Sequence, residues 1–103
     1  MTMTIYEKIA MHRDEILALA ARHGATHVRV FGSVARGEAD AESDVDFVVL
    51  MEAGRTLLDV GGLLMDLRDL LGTEVDIVTE GGLKGAFHDV VLSEAVPVED
   101  IAA

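Results

Sequence analysis

Apolar residues recur at three- and four-residue spacing from Ile5 through Ile9, Ile16, Leu17, Leu19 and Ala20, which predicts an amphipathic helix running to Arg22. Thr4 and Glu7 stand three apart, as in a capping box, and Gly24 supplies a C-terminal stop. The period then shortens to two. From His27 to Phe31, Val28 and Val30 face one way and Arg29 and Phe31 the other, a short strand ended by Gly32-Ser33. Val34 to Arg36 predicts one helical turn stopped by Gly37, and Glu38 to Ser43 a polar loop. Asp44 to Met51 predicts a second strand with Val45, Phe47, Val49 and Met51 on one face and Val48 and Leu50 on the other. A strand apolar on both faces is expected at the centre of a covered sheet.

Leu57, Val60, Leu63, Leu64, Leu67, Leu70 and Leu71 line one side of a predicted helix closed by Gly72. Gly61-Gly62 inside it costs about 1 kcal/mol per residue against alanine, so close packing or a kink is expected there. Glu74 to Thr79 predicts a third strand that sets Asp76 among Val75, Ile77 and Val78. After the glycine-rich stretch Gly81 to Gly85, Ala86 to Ala95 predicts a last helix using Phe87, Val90, Val91 and Ala95, ended before Pro97. The tail from Val98 to Ala103 is expected to be loose. Three strands and three full helices in this order make a small α/β (α+β) domain spanning residues 1–103.

Composition narrows the function. Nineteen acidic against eight basic residues leave a formal charge of −11, which argues against a direct grip on nucleic acid and suits divalent cations or a basic protein partner. The absence of cysteine removes disulfides and thiolate zinc sites and is compatible with a reducing cytoplasm. No apolar run is long enough for a membrane span, and no signal peptide is visible, so a cytoplasmic location is expected.

The candidate chemistry lies between Arg29 and Met51. Asp44 and Asp46 are two residues apart and therefore share a strand face, where two like charges are unfavourable without a cation. If the second and third strands are neighbours, Asp76 joins them. Carboxylates without His or Cys select a hard cation, Mg²⁺ or alternatively Mn²⁺, which keeps open positions for phosphate oxygens. Gly32 and Ser33, at the end of a strand, offer backbone N–H groups and a hydroxyl to a phosphate, with Arg36 and Ser43 close by in the chain. The set reads as metal-assisted phosphoryl or nucleotidyl transfer. A lone D-x-D is more often a solvated strand edge; the Gly-Ser pair and the third aspartate turn the balance. No His pair has metal-ligand spacing, and neither Gly61-Gly62 nor Gly81-Gly82 forms a Walker or dinucleotide loop.

Gly32-Ser33, ten residues, then Asp44-Val45-Asp46 resembles the G-S-x(10)-D-x-D signature of the polymerase-beta-like nucleotidyltransferase superfamily. With Asp76 in E-V-D-I-V, the likeness from Val28 to Val98 is to its minimal nucleotidyltransferase (MNT) branch. It departs at Gly61-Gly62 and at Gly85, where a proline often stands. The resemblance implies a short mixed sheet with helices packed against it, nucleotide phosphates on Gly32 and Ser33, and two Mg²⁺ ions on Asp44, Asp46 and Asp76. It further implies an antitoxin that uses ATP to adenylylate a tyrosine of a HEPN-domain ribonuclease toxin, and that forms a hetero-oligomer with it. Two other readings stand beside it: an acidic antitoxin that neutralises the toxin by binding alone, and a nucleotidyltransferase acting on a small molecule. Chain length weighs against the last.

Overall fold

The computed structural model describes residues 3–37 and 44–101. The predicted polar loop, and Ser43 with it, lies outside the described residues.

Thr4 opens the chain as expected: its hydroxyl accepts from Glu7 N at 3.0 Å and Glu7 Oε1 accepts from Thr4 N at 3.4 Å. The helix it starts is split at His12 (φ −102°, ψ 15°) into α1, Ile5–Met11, and α2, Arg13–Arg22. One apolar stripe continues through the break, so Ile5, Ile9, Ile16 and Ala20 are all buried. There follow β1 (Ala25–Phe31), β2 (Val45–Met51), α3 (Leu57–Leu71), β3 (Val75–Thr79), α4 (Gly85–Glu94) and β4 (Val96–Pro97). The sheet order is β3-β2-β1-β4. β2 pairs in parallel with β3, and β1 is antiparallel to both β2 and β4, so the sheet is mixed and β2 is an interior strand as predicted. A parallel pair needs a crossover connection, and α3 supplies it. Val28 and Val30 of β1 and Val45, Phe47 and Val49 of β2 meet Leu63, Leu67 and Leu71 of α3 and the α1–α2 stripe in one core.

The tail departs most from expectation. Val96–Pro97 forms a fourth strand, with Val30 paired to Val96 and Arg29 to Pro97. Beyond it, Val98 and Ile101 are fully buried in the core, and Arg13 Nη1 donates to the Ile101 carbonyl at 3.0 Å. A two-residue strand has no readable period, and proline is tolerated at a sheet edge, so periodicity could not mark this element. Ile101→Ala should therefore cost about 2–5 kcal/mol, the range for emptying a buried isoleucine, read as a lowered urea midpoint.

Two helices bury less than their apolar stripes predict. Leu57 is 85% exposed, and burial along α3 begins only at Leu63. Its start is set by capping: Thr56 Oγ1 accepts from Leu58 N at 3.2 Å and Asp59 Oδ2 from Thr56 N at 3.0 Å. On α4, Val91 is buried while Phe87 and Val90 are exposed, because this helix lies against β1 along one narrow strip. Gly62 is a close-packing position and α3 runs through it unbroken. A Cβ there would stand 2.7 Å from Cε1 of His23, whose Nε2 meets Asp66 Oδ2 at 2.7 Å. Among the described residues no helix is long and apolar enough to cross a membrane.

Candidate active site

β1 delivers the chain to Phe31, which pairs with Asp46 of β2. Gly32 follows with φ +71°, a left-handed conformation that a side chain resists. The turn closes on itself: Arg36 N donates to the Gly32 carbonyl at 3.2 Å and Gly37 N to the Val34 carbonyl at 3.1 Å. It is one turn, as predicted, without becoming a helix, and the buried side chain of Val34 pins it to the core. Ser33 is half-buried in this turn and Arg36 is exposed.

Tertiary structure brings Gly32 against the carboxylate that lies fourteen positions further on. A Cβ on Gly32 would stand 2.7 Å from Asp46 Oδ2, so only glycine leaves this approach open. The parallel register then sets Asp76 of β3 directly beside Asp46. Residues on one rung of neighbouring strands share a face at about 4.8 Å strand spacing. Asp44 sits just before β2 and is exposed. Burial pushes the Asp46 carboxyl above the ordinary aspartate range. The charges of Asp76 and Asp44 push it further, and Arg36 pulls it back.

Asp46 is thus an acid under negative pressure from two sides, which is what a cation would relieve. Among the described residues no three of His, Cys, Asp or Glu stand close enough to cage an ion by themselves. An open, all-oxygen set of this kind fits Mg²⁺, which keeps waters and completes its shell from substrate phosphates. Of the seven candidate positions, Gly32, Asp44, Asp46 and Asp76 gather at one end of the sheet. Arg36 acts on the same group, Ser33 lies in the adjoining turn, and Ser43 lies outside the described residues.

A cavity of about 460 Å³ lies at the opposite end of β2, lined by Leu50, Met51, Thr56, Leu57, Val60 and Thr79 among others. Its apolar wall has no carboxylate pair, so it is distinct from the acidic end. One charged residue on the acidic face did not stand out as a candidate. Arg29 is at the next level of β1 down from Phe31, and only the pairing register reveals which face it shares.

Residues 12–98 match the family model described as a nucleotidyltransferase domain. The protein adenylyltransferase MntA of Thermococcus cleftensis is 40% identical over 90 residues, covering 87% of this chain and 88% of that protein. A solved structure described as a candidate minimal nucleotidyltransferase is 55% identical, with TM-score 0.78, covering 84% of this chain and 89% of that one. A structure of a tri-AMPylated Shewanella oneidensis HEPN toxin in complex with an MNT antitoxin shares the fold at TM-score 0.66 and 17% identity, covering 87% of this chain and 71% of that one. Both the family match and the similarity to MntA take in the acidic end of the sheet and the turn that faces it. The chain is a nucleotidyltransferase, a member of the nucleotidyltransferase domain family in its minimal, MNT form.

Proposed function

We propose that this chain is an antitoxin that transfers AMP from ATP to a tyrosine of a HEPN-domain ribonuclease toxin. The approach of Gly32 to Asp46, with Asp76 on the same rung, is the observation that carries the reading. It is supported by the name of the Thermococcus relative, a protein adenylyltransferase, and by the fold shared with the MNT antitoxin of the Shewanella complex. ATP and the toxin as substrates put the reaction in the cytoplasm.

In this reading, N–H groups of the Gly32–Ser33 turn and the Ser33 hydroxyl hold the triphosphate, and Arg36 and Ser43 add polar contacts at its edge. Asp44, Asp46 and Asp76 would hold the two Mg²⁺ ions, which would supply charge neutralisation for the transfer. The acceptor hydroxyl oxygen forms a bond to the α-phosphorus, and the bond from that phosphorus to the β-bridging oxygen breaks. Pyrophosphate leaves, and the hydroxyl proton passes to Asp76, the more exposed carboxylate of the pair.

The test is to incubate the protein with α-labelled ATP, Mg²⁺ and a HEPN-domain protein encoded beside it. Label is expected on a tyrosine of that protein, together with loss of its ribonuclease activity. Unlabelled partner would sink the reading. The net charge of −11 also favours a contribution from binding a basic partner. An Asp44→Ala/Asp46→Ala variant that still forms the complex and silences the toxin would make binding the mechanism that matters.

A further inference from the structure

The sheet face that carries Asp46 and Asp76 continues away from them. Two residues along β2 stands Val48, paired with Arg29 on β1 and with Val78 on β3. Alternate residues share a face, so Arg29 is on the side of Phe31 and Asp46. Its Nη1 donates to Glu80 Oε2 at 3.2 Å, and Glu80 comes from the 3-10 turn Glu80–Gly82 that follows β3. The ion pair therefore spans from β1 to the far side of β2: Arg29 stands one level below the carboxylates, and Glu80, four residues past Asp76, a further level down. Its side chains are 28% and 18% exposed, covered enough to be held and open enough to move.

We propose that Arg29 is a phosphate-binding cation of the nucleotide site, held by Glu80 when no nucleotide is bound. One level of the sheet is about 6.6 Å, a span that an extended arginine crosses. A guanidinium fork fits phosphate as well as carboxylate, so nucleotide phosphates at the acidic end compete with Glu80 for the same donors. The local charges favour the exchange. Asp44, Asp46 and Asp76 concentrate negative charge beside the incoming triphosphate, and Arg29 adds a cation on that face besides Arg36. Glu80 sets the affinity by how firmly it holds Arg29. The inference rests on the proposed nucleotide-binding role of this end of the sheet.

Titration of the protein with AMP-PNP in Mg²⁺ buffer tests it, followed by calorimetry. Arg29→Gln should weaken binding about tenfold, the worth of one charge-assisted hydrogen bond. Glu80→Gln should strengthen it severalfold by freeing the guanidinium. The double variant should bind like Arg29→Gln alone, since Glu80 acts through Arg29. A merely structural pair predicts something else: either substitution breaks the same bridge, so both would shift affinity in the same direction. That result, or no shift in either, overturns the inference. Arg29→Lys, which keeps the charge and loses the fork, should fall between wild type and Arg29→Gln, and it supplies the comparison if the glutamine variant unfolds. Wild-type protein that binds no AMP-PNP overturns the nucleotide reading itself and this inference with it. Wild-type binding with same-direction shifts overturns the inference alone.

Discussion

Asp46→Asn is expected to remove nearly all AMP transfer and, in chelator, to raise the stability of the protein at neutral pH. The two effects share one cause. Asp46 is the half-buried member of the acidic set, with its carboxyl pushed up by burial and then by Asp76 and Asp44. Without a cation its ionised form is a liability; as the metal ligand proposed above, it would become an asset. Under the proposed metal-holding role, losing a position worth several kcal/mol of transition-state stabilisation would mean a fall on the order of 10³-fold in rate.

The sign of the stability effect follows from linkage. The folded-state pKa of Asp46 lies above that of the unfolded chain, so ionisation disfavours the fold. The penalty is absent below the ordinary aspartate value of about 3.9 and grows as pH rises through the folded-state value. Asparagine carries no such penalty. The variant's melting temperature in chelator should therefore exceed that of wild type at pH 7, and the gap should close towards pH 3.5. Adding Mg²⁺ should raise the wild-type melting temperature and leave the variant nearly unmoved. A variant less stable than wild type at pH 7 in chelator would contradict this account of the site.

Gly32→Ala is expected to lose about 10²-fold in transfer rate with a modest loss of stability. Two costs fall on one methyl group. At φ +71° a side chain costs about 1–2 kcal/mol. The new Cβ would also stand 2.7 Å from Asp46 Oδ2, nearer than a real Cβ comes to another heavy atom. The carboxylate is the end of a movable side chain, so it gives way and the fold survives. A displacement of this kind at a reacting centre costs about 10²-fold. Gly37→Ala provides the control. It bears comparable strain at φ +73° but, among the described residues, meets nothing within 4 Å. It should lower the melting temperature to a similar extent and spare most of the activity. Equal losses of activity in the two variants would assign the effect to the strained turn and not to Asp46.

Much of the acidic site was legible because its parts are local. Asp44 and Asp46 are held to a common face by strand period, and Gly32-Ser33 announces a turn after an alternating run. The capping box at Thr4 and Glu7 is likewise a matter of residues three apart, and it formed as expected. Asp76 was legible only on a condition, that β3 neighbours β2; the parallel pairing met it and set the two aspartates on one rung. Arg29 was placed on its face of β1 from alternation, yet nothing local says that this face is also that of Asp46.

The misplaced elements failed for related reasons. Phe87, Val90 and Leu57 fit their helical stripes, but a stripe states which side chains could be buried and not how much of the helix meets the sheet. The tail around Val98 and Ile101 carries too few residues for any period, and it owes its order to pairing with β1 and to a place in the core.

What the sequence determined by itself was the order and type of the main elements and the residues that make up the acidic site. Those depend on spacings of two, three and four residues, which backbone geometry converts directly into shared faces. What tertiary structure alone decided was which faces meet. The level of Asp76 beside Asp46, the Asp46 oxygen behind Gly32, the Arg29–Glu80 bridge and the buried tail all depend on strand order and register. Register is set by the packing of a whole core, since a slip of one residue would turn every buried side chain of a strand to the other face.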